Sequence, residues 1–160
     1  MAKVLIHATV TLDGYMADPE GGVDGMFDVD ATDEDTELVN RVVGEIGAVV
    51  GGANRARTIE DGEEPYGGLP GVPVYLMTHE AQEPLVKDGV TYTFVLDDSV
   101  AAVEAAKTDA GDKAVSLLGG RISRQCLQRG LVDEIQLHVL PILLGSGISL
   151  FEGLNQRVNL

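Results

Sequence analysis

Twice in this sequence a short apolar run empties directly into a pair of glycines: Val49-Val50-Gly51-Gly52 and Leu117-Leu118-Gly119-Gly120. Basic residues follow each pair, Arg55 and Arg57 after the first, Arg121 and Arg124 after the second. Glycine lets backbone approach a ligand closely, and a helix starting just beyond offers unpaired N–H groups with a partial positive charge. That combination suits a pyrophosphate. A few charge-assisted hydrogen bonds at about 1.5–3 kcal/mol each supply much of the ~8 kcal/mol of micromolar binding. The alternative is that each glycine pair only makes a tight turn. Neither pair belongs to a G-x-G-x-x-G or Walker pattern, so the spacing does not indicate an ordinary Rossmann or P-loop site.

Other reactive side chains are scattered. His7 and His138 fall within strand-like runs and read as residues satisfied inside a sheet. His79 follows Thr78 at a strand's carboxyl end, where open α/β sheets bind ligands, which makes His79 a candidate contact. No histidine pair or histidine–acid cluster has metal-ligand spacing, so no metal is expected. Cys126, the single cysteine, excludes an internal disulfide framework and reads as a buried thiol. No G-x-S-x-G context supports serine hydrolysis. Asp13, in Thr11-Leu12-Asp13-Gly14-Tyr15, is either a turn residue bonding its own backbone or a carboxylate at the mouth of a cleft.

Charge narrows the function classes. Eleven Lys and Arg stand against 26 Asp and Glu, a formal net charge of −15. Such a field repels phosphate backbones and anionic lipid, so neither a nucleic acid nor a membrane surface is an expected partner. Solubility is the plainest use of that charge. The acids cluster between Asp18 and Glu37 and between Glu60 and Glu64, away from the glycine pairs. No run approaches the ~18–20 apolar residues of a membrane span, and the N-terminus carries no secretory pattern, so a cytoplasmic location is expected.

The elements that must position these residues follow from periodicity. Lys3 to Thr11 alternates as a first strand that ends at Asp13-Gly14. Thr32 reads as the N-cap of a helix running to about Glu45, with apolar residues at helical spacing. Ala48-Val49-Val50 is a short strand feeding the first glycine pair, and Val74 to Thr78 and Thr91 to Leu96 are further strands. Asp97-Asp98-Ser99 caps a helix from about Val100 to Ala110, followed by a strand from Ala114 to Leu118. A short helix is expected from about Ser123 to Arg129, stopped by Gly130, and then a strand from Ile135 to Leu140. Pro141 to Leu144 continues the apolar run before Gly145-Ser146-Gly147 turns the chain back. With no repeat or linker, residues 1–160 form one domain. Strand–helix alternation predicts an α/β fold with a mostly parallel central sheet, and the C-terminal hairpin predicts an antiparallel edge.

Val10-Thr11-Leu12-Asp13-Gly14-Tyr15-Met16-Ala17 resembles the S-L-D-G-x-(I/M)-A opening of the dihydrofolate reductase-like superfamily. Within it, the chain is similar to the branch holding the C-terminal reductase domain of riboflavin-biosynthesis deaminase/reductases. Val74-Tyr75-Leu76-Met77-Thr78-His79 resembles that branch's P-V-(Y/F)-V-L-T-H strand. Gly119-Gly120, Gly130 to Leu137 and Pro141 to Gly147, ending at Leu150-Phe151, complete the likeness over nearly the whole chain.

The resemblance implies a three-layer α/β/α reductase that binds NADPH, with NADH possible. Hydride would pass to a small pteridine-like or ribosylaminopyrimidine-like heterocycle, and the protein would be a homodimer. Gly119, Gly120, Arg121 and Ile122 would hold the pyrophosphate, and Thr78 and His79 would lie near the adenosine. Gly51, Gly52 and Asn54 would line the cofactor groove, and Ala8 would face the nicotinamide. Asp13 and Tyr15 would stand on the substrate side, Asp13 as the catalytic carboxylate. The chain departs from the family where Gly51-Gly52-Ala53-Asn54 lacks the usual arginine, and where Glu80-Ala81-Gln82-Glu83 follows His79 without a basic residue. The alternative is a non-catalytic nucleotide-binding or regulatory domain that retains the fold.

Overall fold

β-branched and aliphatic residues at alternate positions build a sheet buried on both faces. The computed structural model describes residues 1–52 and 69–159. Its first half runs β1 (Val4–Thr11), β2 (Tyr15–Ala17), α1 (Asp33–Gly44), β3 (Ile46–Gly51), β4 (Val74–Thr78) and β5 (Leu85–Lys87). Its second half runs β6 (Val90–Leu96), α2 (Ser99–Ala110), β7 (Ala114–Leu118), α3 (Gly120–Gln128), β8 (Glu134–Leu140) and β9 (Ile148–Ser149). The central sheet has the order β5-β6-β4-β3-β7-β1-β8. Every pairing in it is parallel except β5 with β6.

Alternation divides the strands between two layers of core. Val4, Ile6, Val10, Ala48, Val50, Val115 and Leu117 point to the face covered by α2 and α3, where they meet Ala102, Val103, Ala106, Ile122 and Cys126. Their neighbours in sequence point the other way: Leu5 and Ala114 pack on Val42 of α1. Ile46, Val49, Val74, Leu76 and Tyr92 form a third cluster around Leu69 and Val72. This is the expected three-layer α/β/α fold.

The caps agree with the sequence. Thr32 and Asp35 form a reciprocal capping box at α1. Asp98 accepts from the N–H groups of Val100 and Ala101 at the start of α2. Gly130, at φ 66°, closes α3 with bonds from its own N–H to Leu127 and from Leu131 to the Cys126 carbonyl.

Three expectations need correction. α3 begins at Gly120 with Gly119 as its N-cap, three residues before Ser123. Glycine's poor helix propensity conceals a first turn that is fixed by the Ser123 amide and hydroxyl, both bonded to the Gly119 carbonyl. The second antiparallel pairing, β5 with β6, was not expected; the turn between them uses Asp88 and Gly89, both at positive φ. Near the C-terminus the antiparallel pairing is a separate two-stranded sheet, β9 with β2, because β8 lies parallel to β1 and Pro141 to Leu144 form a loop.

Gly47 shows how closely the layers meet. A Cβ there would lie 2.7 Å from the Lys113 Cβ and 2.9 Å from the Ala110 carbonyl at the end of α2. Gly47→Ala is therefore expected to cost about 1–3 kcal/mol. Urea denaturation checks this: the midpoint should fall with the slope unchanged.

Candidate active site

The parallel strands deliver their carboxyl ends to one rim of the sheet, and α3 starts on that rim. β7 ends at Leu118, Gly119 turns at φ 105° and ψ 143°, and Gly120 is already helical. Only glycine takes that backbone conformation readily. The first intrahelical bond comes from Ser123, and no side chain among the described residues caps the helix. The N–H groups of Gly120, Arg121 and Ile122 thus stand at a positive helix end without an intrahelical acceptor.

Beside this helix end lies a groove of about 460 Å³, partly open to solvent. Arg121, Ile122 and Gln125 of α3 line it together with Arg129, the residue that closes the helix. Gly52, Met77, His79 and Asp97, from the ends of β3, β4 and β6, supply the remaining lining. A Cβ added at Gly52 or Gly119 would meet nothing within 4 Å, so both glycines leave room beside the rim. His79 Nδ1 lies 2.6 Å from the Asp97 carboxylate. Arg121 is exposed and has no ion-pair partner among the described residues.

Arg124 does something else. Its Nη1 donates to the Ser149 carbonyl at 2.9 Å and to Leu150, which ties β9 to α3. Of the two arginines that follow the second glycine pair, Arg121 faces the groove and Arg124 holds the fold. Thr78 is buried, and its hydroxyl donates to the Glu80 carbonyl at 2.7 Å. Gly51 is buried in β3 between Leu76 and Leu118. Ala8 is half-buried in β1 opposite Leu137. Asn54, Arg55 and Arg57 lie outside the described residues.

At the other side of the rim, Asp13 is exposed and fully engaged by its own chain. Oδ1 accepts from the Thr11 hydroxyl at 2.5 Å and the Leu144 amide at 3.2 Å, and Oδ2 accepts from the Gly145 amide at 2.8 Å. The Thr11 hydroxyl first, then the Gly145 amide, hold its carboxyl below the usual carboxylate range. At neutral pH it is an anion clamping the loop after β8. Tyr15 is half-buried in β2, its amide donating to the Thr11 hydroxyl at 3.0 Å. His7 and His138, expected to be satisfied in the sheet, face each other with Nε2 atoms 2.7 Å apart. Burial, and secondarily His138, push the His7 pKa down. Burial also pushes the Cys126 thiol up to about 11, so it is inert as a nucleophile.

The model of the RibD C-terminal domain matches residues 2–160. The chain belongs to that family. A protein of Shewanella sp. PV-4 assigned to riboflavin biosynthesis is 26% identical, with a TM-score of 0.73 over 98% of this chain and 86% of its own. The diaminohydroxyphosphoribosylaminopyrimidine deaminase/5-amino-6-(5-phosphoribosylamino)uracil reductase of Thermotoga maritima is 19% identical, with a TM-score of 0.64. That match spans 98% of this chain and 50% of the Thermotoga protein. A pyrimidine reductase-like protein of Corynebacterium diphtheriae is 18% identical, with a TM-score of 0.60 over 94% of this chain and 79% of its own. These last two share the fold. No curated protein matches the chain significantly. At family level, RibD C-terminal domains are oxidoreductases that use a nicotinamide cofactor.

Sequence reasoning missed Arg129 and Asp97 in the groove of this RibD C-terminal domain. The spacing of Arg121, Gln125 and Arg129 on one helical stripe was available, but it stays hidden when the helix is started at Ser123. No helix among the described residues is long and apolar enough to cross a membrane.

Two outcomes follow from this geometry. Gly119→Ala must strain the turn by about 1–3 kcal/mol, read as a lowered melting temperature. Asp13→Ala should speed amide hydrogen exchange at Leu144 and Gly145. Because the Asp13 carboxyl titrates below its unfolded value of about 3.9, the wild-type clamp is fully present above that pH. It is lost as pH falls through the lower folded value.

Proposed function

We propose that this chain is an NAD(P)H-dependent reductase that transfers hydride to a small planar heterocycle of the pteridine or ribosylaminopyrimidine class. The observation that carries this reading is the start of α3, which lacks a side-chain cap, on the carboxyl rim beside a groove lined by Arg121. The donors fit a dinucleotide: three backbone N–H groups and a guanidinium suit a pyrophosphate, and Gly52 and Gly119 leave space for it. Bound there, the nicotinamide would supply a hydride to a C=N or carbonyl carbon.

The chain's own residues contribute binding, orientation and exclusion of water. Gly119 to Ile122 hold the anionic centre of the cofactor, Gly51 and Gly52 form the floor, and Thr78 and His79 stand toward the adenosine. Ala8 borders the reacting end through its backbone. Asp13 and Tyr15 shape the substrate side; an ionised, fully bonded Asp13 orients the loop at 144–145 more readily than it donates a proton. The activity of the Thermotoga relative makes 5-amino-6-(5-phosphoribosylamino)uracil-type compounds the first substrates to try.

A second copy of the chain is the proposed partner. Among the described strands β8 has a neighbour on one side only, carries no proline, and exposes Leu137 and Val139, with Leu143 beyond it. Such an edge favours pairing. Light scattering should give a dimer that Leu137→Glu converts to monomer.

Titration with NADPH and NADH, followed by nicotinamide fluorescence, tests the main reading. Saturable binding, and oxidation of the reduced cofactor on adding an aminopyrimidine substrate, are expected. Binding without turnover on any such heterocycle would favour a nucleotide-binding regulatory domain. No binding near millimolar concentration overturns the reductase.

A further inference from the structure

We propose that His7 and His138 form an acid-sensitive latch, which holds the edge strand β8 against β1 and opens when both rings are protonated. The rings come from neighbouring parallel strands whose register sets His7 opposite Gln136 and His138 opposite Thr9. Alternation puts His7 on the side of Leu5, which packs on Val42, so the pair lies on the sheet face that α1 covers. The two Nε2 atoms stand 2.7 Å apart, with the ring planes at 70°. A hydrogen bond between imidazoles needs one N–H and one lone pair. A neutral pair supplies both, and so does a pair holding one extra proton. A doubly protonated pair has two donors, no acceptor and two like charges in contact.

The surroundings oppose that second proton. His7 is half-buried, and burial, then the neighbouring His138, hold its pKa below the ordinary 6.5. The charged groups on this face come from α1 and from the two strands. Asp35, at the start of α1, feels the charge of His138 but is bonded to Thr32. Arg41 and Glu45 of α1 line a groove of about 590 Å³ together with Gln136 and His138. Lys3 and Glu134, toward the start of β1 and β8, bond to each other at 2.7 Å. The groove therefore gives a displaced His138 cation room and the Glu45 carboxylate, with Arg41 as the opposing charge. Beyond His138 the chain enters the loop at 141–147, whose Leu144 and Gly145 amides are held by Asp13. Asp13 stays ionised until the pH falls below the usual carboxylate range, so the two anchors of this connection open in different pH windows. Because the folded pKa of His7 is depressed, the latch is fully present above 6.5 and is lost as pH falls through the folded value.

The test compares amide protection factors from hydrogen exchange at about pH 7.5 and about pH 5, the range in which histidine titrates. Wild type should lose protection at Gln136, His138 and Leu140 by about threefold or more beyond any loss at Val115 and Leu117 of β7. His7→Gln and His138→Gln each keep a polar partner that takes up no proton, so both should flatten that step. Asp13→Ala should speed exchange at Leu144 and Gly145 at both pH values and leave the β8 step in place. The imidazole nitrogens of wild type, followed by NMR, should titrate as a coupled pair, the second proton entering at lower pH than the first. A loss at β8 no larger than at β7 overturns the proposal. So does a step that survives in both glutamine variants, or one that varies with protein concentration and so belongs to an interface. If neither variant folds, the nitrogen titration decides, and two independent transitions sink the latch.

Discussion

A helix whose first turn has no side-chain cap among the described residues sets the terms for the rest of this molecule. Most helix starts are quieted by a side chain, and this chain does so at the other two described helices, with Thr32 and Asp98. α3 instead leaves β7 through Gly119, in a conformation that other residues resist, and no described side chain caps its amides. Exposed to water, those groups cost little; enclosed beside a ligand, they become donors with a helix dipole behind them. The parallel sheet follows from that need, since it gathers the ends of β3, β4 and β7 at one rim and points α3 along the groove.

Placement of charge follows the same logic. A net charge of −15 opposes any anionic ligand at long range, but that field is screened beyond about 8–10 Å at physiological salt. What decides binding is the local arrangement, and there the chain is economical with cations. Arg121 and Arg129 line the groove, Arg124 bonds to the β9 backbone, and Lys3 bonds to Glu134 across the start of β1 and β8. The acids of the first loops and of the α1 start lie away from the groove lining. Repulsion is thereby left to the surface, while the groove keeps two guanidinium groups.

Much of this was legible in the residues. β4 and β7 have the expected ends, the Thr32 box and the Gly130 stop are present, and the glycine pair after β7 leads straight into a helix as expected. These are local signals: alternation, capping chemistry and positive φ each act within a few residues. What escaped reading depends on contacts distant in sequence. β5 is three residues long with two of them exposed, so no periodicity marks it. β2 and β9 are strands because Asp13 and Arg124 bring the loops after β1 and β8 onto α3, over separations of 131 and 25 residues. Arg129 was hidden because the helix was started three residues late, which broke the stripe it shares with Arg121.

Those same distant contacts explain why the site's two sides are not independent. Gly120 has Met16 and Arg124 against it so closely that a Cβ would lie 2.7 Å and 3.0 Å from their atoms. Met16 belongs to β2, on the loop that carries Asp13 and Tyr15, and Arg124 holds β9, the strand β2 pairs with. The start of α3 and the loop that carries Asp13 and Tyr15 therefore share one packed contact at Gly120. Both atoms are the ends of long, flexible side chains, so a methyl at Gly120 would displace Met16 and Arg124 and loosen the Arg124 bonds to β9, while the turn at Gly119 could still form. Gly119 is thus fixed by conformation, and Gly120 by a contact its neighbours can partly yield. Through that contact the start of α3 and the β2–β9 sheet feel each other's packing.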